Sequence, residues 1–142
     1  MNTDLYRHIY KNAEMGYDTI AKLLSKVTDD RFRAELTMQM EGYKRISDMA
    51  ASRLKSINQP PKPISIAKKL PVRAGIAVNT LFDRSVSHIA EMMINGSSMG
   101  IVEITKKLNS VNLRDCEEEA LNLGRDVAGF EQQNIERLKS YL

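Results

Sequence analysis

The sequence predicts an all-α domain, a four-helix bundle of two antiparallel helical hairpins joined by a Pro-containing crossover. Apolar residues recur at helical spacing along most of the 142 residues, and alternating strand patterns bounded by Gly-rich turns are missing. Gly (7) and Pro (4) are too scarce for a low-complexity or collagen-like chain. With 42% hydrophobic and 27% charged residues the composition is globular, and the length suits a single domain over residues 1–142.

The first helix is expected over about 3–27, with Thr3 as N-cap and Leu5, Ile9, Gly16, Ile20, Leu23 and Val27 on one stripe. Thr28 and Asp29 mark a short turn, so the second helix, about 30–55, is its antiparallel neighbour. Its face carries Phe32, Leu36, Gln39, Tyr43, Ile46, Ala50 and Leu54. Asn58-Gln-Pro-Pro-Lys-Pro and Pro71 then exclude a helix interior, which assigns 57–71 to a crossover. Extended at ~3.1 Å per residue it spans roughly 45 Å, comparable with a helix of the bundle, which would make helices two and three parallel. If Ser65 instead caps an early third helix, about 25 Å of extended chain is left, too little to traverse the bundle.

The third helix is expected over about 72–108 and the fourth over about 113–141, with the turn near Asn109-Ser110. Helix four carries Ala120, Leu123, Val127, Phe130, Asn134, Leu138 and Tyr141 on one stripe, with acids Asp115, Glu117, Glu118 and Glu119 in its first turns, where the helix dipole favours them.

The lone Cys116 cannot form an internal disulfide, and the start MNTDLYRH lacks the basic-then-apolar run of a signal peptide, so a cytoplasmic protein is expected. Cys116 lies near a helix start, which can lower a thiol pKa, but no nucleophile arrangement accompanies it. No stretch is long and uncharged enough to span a membrane. The net charge of +3 is unevenly placed: Met49 to Phe82 contains no acid and carries Lys62, Lys68, Lys69 and Arg73, a basic patch that could attract phosphates. The segment lacks interleaved aromatics, so nucleic acid is the lesser alternative.

Helix three has more apolar positions than one core needs: Val78, Phe82, Val86, Ile89, Met92, Met93, Ile101 and Ile104. Tyr6, Tyr10 and Tyr17 share a flank of helix one, and Gly96 and Gly100 have the small-xxx-small spacing that permits close helix approach. Tyr6, Tyr10, Tyr17, Phe82, Met93, Gly96 and Gly100 are therefore the candidates for a homo-oligomer interface, a dimer being favoured.

Two helical hairpins joined by a Pro-containing crossover resemble the ferritin-like superfamily, including rubrerythrin relatives and small bacterial members, to which SHIAEMMINGSSMGI and GFEQQNIERLKSYL are similar. Metal-active members use a Glu from each of two helices and a Glu-x-x-His from each of the other two. By that resemblance, Asn12 stands where helix one would supply a carboxylate. Gln39 and Gly42 replace one Glu-x-x-His, Glu131-x-x-Asn134 loses the imidazole of the other, and helix three offers His88 and Glu91 in reversed order. The resemblance thus implies a bundle without the di-iron set, whose Asn12, Gln39, Glu131 and Asn134 form a core polar network. No catalytic residue and no cofactor are expected, and the implied role is an oligomeric binding or scaffold module. The alternative is an oxidase or metal store in which His88, Glu91 and Glu131 hold iron, manganese or zinc.

Overall fold

A computed structural model of the chain describes residues 2–62 and 85–142. Among them are four helices and no strand: α1 (Asn2–Leu24), α2 (Asp30–Ser56), α3 (Val86–Ser110) and α4 (Glu118–Leu138), the last continued by a 3-10 turn, Lys139–Tyr141. An all-helical bundle is therefore observed; the residues 63–84, with most of the expected crossover and the expected start of helix three, lie outside the described residues.

Local chemistry sets most of the helix ends. The Asp29 carboxylate accepts from Phe32 N–H at 2.8 Å, satisfying one of the orphan donors that open α2. At the other end Asn58 adopts φ 58°, and the Asn58 and Gln59 amides return to the Lys55 and Leu54 carbonyls at 3.1 and 2.8 Å. This is a Schellman ending with Asn in the left-handed position that it tolerates better than most residues, followed by Pro60 and Pro61. Arg33 closes the α1–α2 turn by donating to the carbonyls of Leu24 and Val27, the second at 2.9 Å.

The start of α1 differs from the expected one because a side chain is used elsewhere. Thr3 lies inside α1 rather than capping it, and the Asn2 side chain instead accepts the Glu117 N–H at 2.8 Å, at the start of α4. Ser85 (φ −62°, ψ 147°) accepts from His88 N–H at 3.2 Å and caps the described α3 at Val86, within the span expected for helix three. Asp115 and Glu117 precede α4, while Glu118 and Glu119 occupy its first turn. Asn112 organises the loop between, accepting from Arg114 N–H and donating to Asp115.

The partners of α1 occur in opposite order along α2 and the turn that follows it: Arg7 meets Gln59, Glu14 meets Ser47 and Leu24 meets Arg33. The apolar interior forms two clusters. One joins Ala13, Ile20 and Leu23 of α1 to Phe32 and Leu36 of α2, Ile89 and Met93 of α3, and Leu138 of α4. The other joins Leu5, Tyr6 and Ile9 to Ala50, Leu54, Ile104, Ala120, Leu123 and Val127. The early parts of α2 and α3 thus share one cluster with the late parts of α1 and α4. Burying each large apolar side chain contributes about 1.5–3 kcal/mol against exposure. Phe32 also stacks at 4.8 Å on Tyr141, which carries Arg31 over its ring and fixes the C-terminal turn to α2.

Candidate functional site

Between the clusters each helix turns polar groups inward. Tyr43, on the buried face of α2, donates its hydroxyl to Glu131 Oε2 of α4 at 2.6 Å, and Glu131 is 3% exposed. Burial raises the Glu131 pKa, partly offset by hydrogen bonds from Tyr43 and Ser97. Burial and the adjacent Glu131 charge push the Tyr43 phenol well above its usual range, so it stays a donor. Ser97, itself buried, and Asn134 stand close enough to the Tyr43 oxygen to offset part of that rise.

Close approach of backbone makes this arrangement possible. A Cβ on Gly16 would lie 2.6 Å from the Tyr43 ring, so α1 needs glycine where the ring passes. The Tyr43 ring meets Phe130 edge-on at 4.9 Å, and the Phe130 ring fills the space a Cβ on Gly42 would take. The position at which the family resemblance puts a histidine is therefore the floor beneath an aromatic ring. A Cβ on Gly100 would sit 3.1 Å from Glu131 Oε1 and 3.4 Å from Asn12 Nδ2, so the absence of a side chain on α3 brings the carboxylate and the amide to one spot.

That spot is the base of a cleft of about 350 Å³ between α1 and α3. Its base is Asn12, Tyr43, Ser97, Gly100 and Glu131, and its walls are mainly apolar: Met15 and Ile20 from α1, Met92, Met93 and Met99 from α3. Gly96 forms part of the α3 wall, and a Cβ there would meet nothing within 4 Å. Glu103 lies at the exposed rim.

The residues expected as one amide network divide. Glu131 and Asn12 share the cleft base, whereas Gln39 Nε2 donates to Glu35 at 3.0 Å, and Gln39 Oε1 and Asn134 Nδ2 are buried without a hydrogen-bond partner of good geometry. The reason is that Tyr43, not an amide, takes the Glu131 carboxylate. Glu14, which is not among the expected network, is half-buried and accepts from the buried Ser47 hydroxyl. His88 is half-buried, Glu91 is exposed and Glu131 is in the core, and among the described residues no three His, Cys, Asp or Glu side chains stand together to hold a metal ion.

Of the interface candidates, Tyr6 is 2% exposed and Met93 belongs to the apolar interior, because both face inward from their helices. Gly100 faces the cleft, Gly96 is exposed, and Tyr10 and Tyr17 are half-buried. Phe82, Lys68, Lys69 and Arg73 lie outside the described residues, and Lys62 is exposed. The Cys116 thiol is shifted upward by burial and by Glu117 and Glu118, opposite to an activated nucleophile. The sequence reading took Gly96, Gly100 and Met93 for an interface and not for a cleft; the side chain that gives the cleft its polar base, Tyr43, had been read only as core.

No described helix is long and apolar enough to cross a membrane. Comparison of the chain with protein-family models, curated proteins and solved structures returns no match.

Proposed function

We propose that this chain is a non-catalytic, cytoplasmic, ferritin-like bundle that works as a binding module, taking a small, largely apolar molecule into the α1–α3 cleft. The observation that carries the reading is the cleft itself: about 350 Å³, within the size range of small-molecule sites, with methionine walls and a few convergent polar groups around Glu131. Methionine suits such a wall because its unbranched, polarizable thioether adapts to the shape of an occupant. The ferritin-like part of the reading is supported by the shared cluster of early α2 with early α3, which is what a bundle-length crossover between antiparallel hairpins would produce. The polar layer then occupies the level at which metal-active members hold their ions, here with a tyrosine–glutamate pair in place of ligands. A homodimer belongs to the same reading through Met99 and Val102, which are 64% and 51% exposed beside the cleft.

The test is a thermal-shift and ligand-observed NMR screen of small apolar compounds on the unaltered chain and on Gly96→Phe. The new ring enters open space, and replacing glycine inside a helix favours the fold, so this variant blocks the cleft without unfolding the chain. Compounds that bind the unaltered chain and not Gly96→Phe support the reading; equal responses from both proteins end it. Light scattering on the same samples gives the oligomeric mass, and a monomer removes the dimer.

A further inference from the structure

Resting on the reading of the cleft as a binding site, we infer that its occupant is a small organic cation, an apolar body bearing a protonated amine whose ammonium group meets Glu131 at the base. The argument begins with an imbalance of charge. Glu131 is 97% removed from solvent by the 3% it exposes, and buried carboxylates are ordinarily paired with a cation. Among the described residues its hydrogen-bond partners are neutral, the Tyr43 hydroxyl at 2.6 Å and Ser97, and the Asn12 amide stands at the same spot by Gly100. The ion pairs of the described residues, such as Lys44–Asp48 and Arg53–Glu119, lie on the exposed surface and none includes Glu131.

The wall has the same bias. Glu131 and Glu103 are acidic, and among the described residues no lysine, arginine or histidine lines the cleft. A carboxylate or phosphate ligand would enter against both acids, and a neutral apolar molecule would leave the buried charge without a counter-charge. A bare metal ion is poorly served as well, since the lining offers thioethers and a single buried carboxylate instead of a set of hard oxygens. An ammonium head adds charge-assisted hydrogen bonds to Glu131, roughly twice as strong as neutral ones. Its hydrocarbon body then lies along Met15, Met92 and Met99 on the way to the rim. Tyr43 is a positioning residue, holding the carboxylate by Oε2 while Oε1 stays over Gly100.

The experiment uses the full chain and three probes sharing one six-carbon body, hexylammonium, 1-hexanol and hexanoate, with dissociation constants measured at pH 7 by calorimetry or ligand-observed NMR. Hexylammonium is expected to bind at least ~10-fold more tightly than hexanol, with hexanoate weakest, the order that a charge-assisted bond gives. Glu131→Gln, which keeps the shape and still offers Tyr43 an acceptor, should bring the amine to within about 2-fold of the alcohol while leaving alcohol affinity unchanged. Glu103→Gln at the exposed rim should weaken the amine about 2-fold, as a solvent-screened charge does. It also supplies the charge test if circular dichroism shows Glu131→Gln unfolded. Equal affinities for amine and alcohol overturn the cation while leaving a Gly96→Phe-sensitive cleft intact. Displacement of hexylammonium by equimolar ammonium chloride overturns the organic body. Absence of Gly96→Phe-sensitive binding by all three probes overturns the binding reading itself.

Discussion

The sides that α1 turns to α2 and to α3 meet small residues to opposite ends. Towards α2, Gly16 lies beneath the Tyr43 ring, and behind it Gly42 lies beneath Phe130, so each missing side chain is replaced by an aromatic one. Towards α3, Gly96 opens onto empty space and Gly100 onto a carboxylate, so the missing side chains stay missing and a cleft results. Glycine at a helical position thus makes either a tight seam or an opening, and the decision belongs to the residue opposite. Bulky rings oppose the first pair; methionines at the edge and an acid at the base surround the second.

The comparison can be broken most severely at its hinge, Tyr43. Tyr43→Ala removes the ring from Gly16 and Phe130 and the donor from Glu131, and should cost about 3–5 kcal/mol of unfolding free energy in urea denaturation. Tyr43→Phe, which deletes the hydroxyl alone, should cost about 1–3 kcal/mol, so a Tyr43→Phe loss as large as that of Tyr43→Ala would show that the ring contributes little. Next is Gly16→Ala, whose methyl would sit 2.6 Å from a ring pinned by its hydroxyl; about 1–3 kcal/mol of overpacking should outweigh the gain in helix propensity.

Acidity sharpens the cleft side. Because burial raises the Glu131 pKa in the folded chain, its contribution to stability is fully present below its ordinary value of 4.5 and is lost as pH rises through the folded value. Denaturation midpoints of Glu131→Gln relative to the unaltered chain should therefore improve as pH rises from 4 to about 7, and a flat difference would mean that Glu131 is solvated. His8 acts in the opposite sense: burial lowers its pKa, against Glu103 and alongside Lys107 and Lys11, so its contribution is present above 6.5 and lost on acidification. The difference between the two proteins removes that term. The smallest effect is expected at Gly96, where Gly96→Ala should stabilise by about 0.5–1 kcal/mol with no contact to disturb.

What the sequence disclosed follows the same division. The stripes of α2 and α4 were legible because helical period alone brings Phe32, Leu36, Ala50, Leu54, Ala120, Val127 and Leu138 to one side, and these are buried. Gln39 and Asn134 followed from their places in those stripes. Pairings between helices were not legible, since period fixes the face of a residue and not its depth or its partner. Tyr6 and Met93 therefore passed for interface residues, although the interior takes both. The start of α1 was not legible for the same reason: Thr3 lies inside the helix, and the Asn2 side chain accepts from Glu117, across 115 positions of sequence.

Each apolar cluster takes side chains from all four helices, and this bears on how the chain opens. Neither the α1–α2 pair nor the α3–α4 pair holds a complete interior, so separating one pair from the other exposes both clusters at once. Local fraying at helix ends is cheap, but detaching a whole pair requires nearly the free energy of global unfolding. Native-state hydrogen exchange should then show the central amides of α1 and α4, remote in sequence, closing and opening as one unit.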